Sequence, residues 1–206
     1  MSSKAYKNLS GRMKDIEQLL EAHKALTQFK RARKAAEEAG GGLAQISEVI
    51  DRLVTEPGRG RRTEVDALNR AAMVLLSAHL QGYIEDVFSE AAKAMLDGKV
   101  KDVDALIEQA LSGFSNPHAY RVDSLFASIG LPKITDGLSW QRASNQTVKR
   151  RLTDYIRVRN SIAHGGQEGI TKPRVAEFRR FVEVFARNFD EKVGNEVRQT
   201  VGKAPW

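Results

Sequence analysis

The stretch Arg157-Val158-Arg159-Asn160-Ser161-Ile162-Ala163-His164-Gly165-Gly166 sets two arginines, an asparagine and a histidine within eight residues, and the chain has no comparable cluster elsewhere. These side-chain types suit cleavage of a phosphodiester without a metal. An imidazole titrates near neutrality and so can take or give a proton. A guanidinium stays charged, and its planar fork binds two phosphate oxygens at once, offsetting charge that develops in a transition state. The amide of Asn160 can hold either partner in place. No carboxylate cluster with metal-ligand spacing accompanies them, and His23, His79 and His118 are scattered without a zinc-binding pattern. Neither a metal nor a cofactor is expected.

The element that must present these groups is a helix predicted from Thr147 to His164, with Val148, Leu152, Tyr155 or Ile156, and Ile162 on its apolar side and Gly165-Gly166 ending it. Each helical residue turns about 100°. Asn160 and His164 are four apart and share a face, and Arg157, seven before His164, lies on nearly the same line. Arg159 stands about 140° from His164 and reaches the same phosphate only through its long side chain or through fraying of the helix end. A histidine followed by two glycines also fits a plain helix C-cap, where the dipole favours a cation. By itself the stretch leaves both readings open.

Charge sharpens the contrast. Residues 1–140 carry 19 Lys and Arg against 19 Asp and Glu, whereas residues 141–206 carry 14 against 7, so the net +7 sits beside the histidine cluster. Such a field draws polyanions, although a solvated basic face also accounts for it. With no cysteine, neither a disulfide framework nor a thiolate metal site is available. Met1 to Ser10 lacks an apolar signal core, and the best apolar run, Ala71 to Leu80, is too short to cross a bilayer. A cytoplasmic protein without membrane contact is expected.

The remaining elements are also helical. Met13 to Ala39 reads as a helix, stopped by Gly40-Gly41-Gly42, and Leu43 to Thr55 as a shorter one; together they predict a hairpin that covers a core rather than building it. Pro57-Gly58-Arg59-Gly60 marks a boundary. Further helices are predicted over Val65 to Met95, Val103 to Leu111, Ala119 to Ile129, and from an N-cap at Thr171 to about Val193. Val175, Phe178, Val182, Phe185 and Phe189 form the apolar stripe of that last helix. Asp136 to Asn145 reads as loop, with Trp140 as a packing plug. The fold expected is all-α: an up-and-down helical bundle of four to five helices over 61–193, an N-terminal helical hairpin over 1–58, and a polar tail over 194–206.

Arg159-Asn160-Ser161-Ile162-Ala163-His164 resembles the RNxxxH form of the R-x(4–6)-H motif of the HEPN superfamily. Ala71 to Glu85 is similar to the central apolar helix of the RiboL-PSP-like HEPN branch, and Asn116-Pro117, Leu125 to Leu131 and Trp140 resemble its connector. This resemblance, covering about Thr63 to Val193, implies a metal-independent endoribonuclease of toxin or phage-defence type. Such an enzyme cleaves RNA by 2′-hydroxyl transesterification, leaving 2′,3′-cyclic phosphate and 5′-hydroxyl ends. It assigns Arg159 and His164 as the catalytic pair and Asn160 as their orienter. Arg157 becomes an RNA contact or the alternative catalytic arginine, and Arg150 and Arg151 become RNA contacts. A single histidine per chain implies a homodimer through the motif helix, with the apolar residues of the last helix as second contributor. An antitoxin or defence-system protein is a further implied partner. The alternative is a non-catalytic HEPN module that binds RNA or a protein. Two positions depart from the family. Gly166 stands where toxins paired with a nucleotidyltransferase carry a tyrosine, and Gln81 stands where many relatives carry an acid, leaving Glu85 one turn later as its substitute.

Overall fold

The computed structural model describes residues 2–39, 63–141 and 143–206. Its helices are α1 (Lys4–Ala39), α2 (Thr63–Leu96), α3 (Val103–Ser112), α4 (Ala119–Ala127), α5 (Asn145–Ala163) and α6 (Lys172–Val201). Among the described residues there is no strand, only one isolated bridge between Trp140 and Ala143. The fold is all-α, as the periodicity predicts. The second arm of the expected hairpin, 43–55, and the Pro57 to Gly60 break lie outside the described residues.

Helix α2 packs against every other described helix, most extensively α1 and α6. Its buried residues recur in adjacent pairs, among them Ala72 with Met73, Tyr83 with Ile84, Val87 with Phe88 and Ala91 with Ala92. That doubling widens the apolar stripe until it serves partners on two sides. The Tyr83 hydroxyl, buried with it, donates to Ala186 O at 2.7 Å and so ties α2 to α6.

Along α6 the phenylalanines form a spine, with Phe181 stacked on Phe185 at 5.9 Å and Phe185 on Phe189 at 5.3 Å between ring centroids. Phe126 of α4 meets Phe189 edge-on at 5.4 Å, Trp140 tilts against Phe181 at 5.8 Å, and Tyr155 of α5 stacks on Phe178 at 4.0 Å. Val175, Phe178, Val182, Phe185 and Phe189 are each no more than 1% exposed. This corrects one expectation: the apolar face of the last helix is consumed inside the subunit by α2, α4 and α5 and offers nothing to a second copy.

Two further boundaries move. Helix α1 begins at Lys4 rather than Met13, and Ala5, Leu9, Met13 and Ile16 belong to the same core as α2 and α6, so α1 helps to build that core as well as covering it. Its start is held from outside the helix. Ser3 Oγ accepts from Tyr6 N at 2.9 Å, the Ser3 hydroxyl and amide both donate to Asp190, and Glu90 accepts from the amides of Lys4 and Ala5 at 3.1 and 2.6 Å. Carboxylates at a helix N-terminus satisfy its orphan N–H groups and suit its dipole. At the other end α6 continues to Val201 instead of giving way to a polar tail at Gly194. Val193 and Val197 are fully buried, and the Trp206 indole folds back to within 3.3 Å of where a Cβ on Gly194 would stand. The missing side chain at Gly194 is what admits the ring.

Candidate active site

Helix α5 is fixed along its inner face by Val148, Leu152, Tyr155, Ile156 and Val158, all buried. Its first turn is tied to the preceding connector. Ser144 accepts from Thr147 N, Asn145 Nδ2 donates to the carbonyls of Thr135 and Leu138 at 2.7 and 3.1 Å, and Lys149 pairs with Asp136. Asp123 in turn accepts from the Thr135 amide and hydroxyl at 2.7 and 2.9 Å, so α4, connector and α5 are one polar network. A helix anchored this way presents its outer face, including exposed Arg150, Arg157 and His164, in a set orientation.

The end of α5 does not fray. The Gly165 amide donates to Ile162 O at 3.1 Å and the Gly166 amide to Ser161 O at 2.8 Å, with Gly165 in the left-handed region at φ 85°. This pair of bonds is a Schellman cap, and it satisfies carbonyls that the last turn would otherwise leave open. His164 is the C-cap residue, at φ −94° and ψ 18°, with its own amide donating to Asn160 O at 3.0 Å. Gly166 is required by crowding: a Cβ there would stand 2.7 Å from Ser161 O. A tyrosine at that position is therefore incompatible with this cap.

Arg159 does not point away from the histidine's side. Its Nη1 donates to Asn160 Oδ1 at 3.0 Å. On an ideal helix Asn160 lies about 100° round from Arg159 and only about 40° from His164, so this bond draws the guanidinium toward the histidine's face. Both Arg159 and Asn160 are half-buried, and the imidazole is exposed. Among the described residues the His164 side chain makes no hydrogen bond or ion pair. Arg157, also exposed, lies 3.8 Å from Asp154 one turn earlier. Gln81 Nε2 donates to Glu85 Oε1 at 2.9 Å, which pairs the two auxiliary candidates with each other; among the described residues no hydrogen bond joins either to the motif.

Arg150 and Arg151 line a cleft of about 600 Å³ between α5 and the first turn of α6, together with Tyr155, Thr171 and Arg174. Arg174 and Tyr155 are residues that sequence reasoning missed. Tyr155 reads as core, and nothing in the spacing of Arg174 shows that the start of α6 crosses the middle of α5. The segment between them is pinned by buried Asn69, whose Nδ2 donates to Ile170 O at 2.9 Å. The basic run Lys30 to Lys34 lies on α1, and Gly58 to Arg62 lies outside the described residues. No helix among the described residues is long and apolar enough to cross a membrane.

Comparisons with curated proteins and with solved structures returned no significant match. A family model, RiboL-PSP-HEPN, matches residues 43–195, a span that holds α2, the connector, the motif helix α5 and most of α6. With that much of the chain matched, the protein belongs to the RiboL-PSP-HEPN family and carries a HEPN-type domain.

Proposed function

We propose that the chain is a metal-independent endoribonuclease of toxin or phage-defence type. The observation that carries this reading is the Arg159–Asn160 bond beside an exposed His164 whose backbone is locked by the Gly165-Gly166 cap. In the reaction the RNA 2′-oxygen attacks the adjacent phosphorus, a 2′-O–P bond forms and the P–O5′ bond breaks. One imidazole accepts the 2′-hydroxyl proton, and another group delivers a proton to the departing 5′-oxygen. Arg159 offsets the extra charge on the phosphoryl oxygens, with Asn160 holding its fork in place. Arg157, Arg150 and Arg151 contact the rest of the strand, and Gln81 with Glu85 is an auxiliary pair. Since each chain brings one motif histidine, two copies facing across α5 supply both acid and base.

Incubating the protein with RNA in excess chelator, beside His164→Ala, tests the reading. Fragments ending in 2′,3′-cyclic phosphate and 5′-hydroxyl are expected, with the variant slower by about 10²–10⁴-fold. Cleavage that persists in His164→Ala, or that stops with EDTA, contradicts it. The lack of any bond from the His164 side chain to Arg159 favours a second reading, a module that binds RNA or a protein without cutting. That module binds RNA in a salt-sensitive way and yields no fragments at high protein concentration.

A further inference from the structure

Arg150, Arg157 and His164 follow one another at intervals of seven, and all three are exposed. Seven residues bring an ideal helix back to within about 20° of the same line, so they form a stripe along α5 that ends at the motif. From Arg150 to His164 the axial rise is about 21 Å. At its far end the stripe meets the cleft of about 600 Å³ between α5 and the start of α6.

The groups lining this cleft differ in how far they are already engaged. Arg151 lies 3.9 Å from Glu177 across the cleft, and Asp154 faces Arg157 at 3.8 Å, so the two carboxylates each have a cation. Arg150 and Arg174 are exposed, and among the described residues neither has an ion pair. Thr171 occupies the N-cap position of α6 without using its side chain to cap the helix. Tyr155 adds a phenol whose ring is held by stacking on Phe178. Arg150 and Arg174, guanidiniums from two helices that among the described residues have no ion pair, line one cleft with the hydroxyls of Thr171 and Tyr155, a donor set that suits a phosphate.

Resting on the ribonuclease reading, we infer that this cleft holds a backbone phosphate of the RNA well away from the bond that is cut. Arg150 comes from the motif helix and Arg174 from α6, so the strand is gripped at a junction of two helices and runs along the Arg150–Arg157–His164 stripe to the cap. At a stacked rise of about 3.4 Å per nucleotide the stripe spans up to about six nucleotides. Substrates shorter than that lose the second grip.

The double variant Arg150→Ala, Arg174→Ala tests this, with Arg180→Ala on the same helix as a control for loss of any exposed charge. Binding is measured by anisotropy with 2′-O-methyl RNA of twelve and of three nucleotides, which cannot be cleaved by the proposed route. The double variant is expected to bind the long probe at least about tenfold more weakly, with a log–log salt slope shallower by about 0.7 per phosphate lost. Affinity for the short probe stays as in the wild type. An unchanged affinity and slope for the long probe, or an equal loss on the short one, overturns the cleft as a site. If the wild type cuts no RNA yet the double variant loses long-probe binding, the nuclease reading falls and the cleft stands; the reverse result separates them the other way. A circular dichroism melt matching the wild type excludes unfolding as the cause.

Discussion

At the scale of single residues, the motif is placed partly by side chain and partly by backbone. Asn160 holds the Arg159 guanidinium, whereas His164 is placed by its position at the cap. Asn160→Ala therefore frees Arg159 without touching the fold; turnover of RNA should fall about tenfold or more, the scale of one hydrogen bond to a charged group, while the melting temperature stays within error. A matching fall for Asn160→Ala in an Arg159→Ala background would show that the amide acts some other way than through Arg159. The residue types and spacing of the motif were legible in the sequence. The direction of Arg159 was not, because ideal geometry sets it far round the helix and only a side-chain bond brings it back. Arg174 was invisible for a related reason: its meaning depends on which helix it crosses.

Elements carry the next set of expectations. Gly165 sits at φ 85°, a region that costs a residue with a Cβ roughly 1–2 kcal/mol. Gly165→Ala should lower stability by about 1 kcal/mol, and Gly166→Ala by more, since its Cβ meets the Ser161 carbonyl. Both should reduce cleavage beyond their effect on folding, because each moves His164; chemical denaturation and turnover measured on the same samples separate the two. Two half-buried histidines outside the motif make stability depend on pH. Burial pulls the His79 imidazole below its ordinary value, with Arg12 acting in the same direction and Asp15, 3.3 Å away, opposing. Burial lowers His118 as well, helped by Arg121. A folded-state value below the unfolded one means that the unfolded chain takes up protons first. Their contribution is whole above the unfolded value near 6.5 and is lost as pH falls through the folded values. The melting temperature should drop between about pH 7 and pH 5, and His79→Gln should flatten that drop. Helix stops at Gly98, Gly130 and Gly165 were readable because glycine takes positive φ there. The start of α1 was not, since its caps, Glu90 and Asp190, come from distant parts of the chain.

For the molecule as a whole, α1 and α6 close on each other through Ser3 and Asp190, 187 residues apart. Leu9, Met13 and Ile16 are buried in the shared core, each contributing about 1.5–3 kcal/mol, against a total stability of about 5–15 kcal/mol for a typical domain. Deleting residues 1–17 should therefore abolish a cooperative thermal transition; a melt unchanged from the full chain would mean that the segment is an appendage after all. On the ribonuclease reading, light scattering should give a homodimer, and a monomer that still cleaves RNA would contradict an acid and a base drawn from two copies. An all-α composition was legible from periodicity alone. Which apolar faces are taken within the subunit was not, as the stripe of α6 shows: sequence tells that a face must be covered, not by what.

The Ser3–Asp190 closure also dictates a timetable. Translation proceeds at roughly 5–20 residues per second, so on the order of ten to forty seconds separate the synthesis of these two partners. Until α6 has left the ribosome, Tyr155 has no Phe178 to stack on and α5 lacks its footing. On the proposed ribonuclease reading, assembly in that order keeps the motif helix from acting on the transcript being translated until α6 is complete.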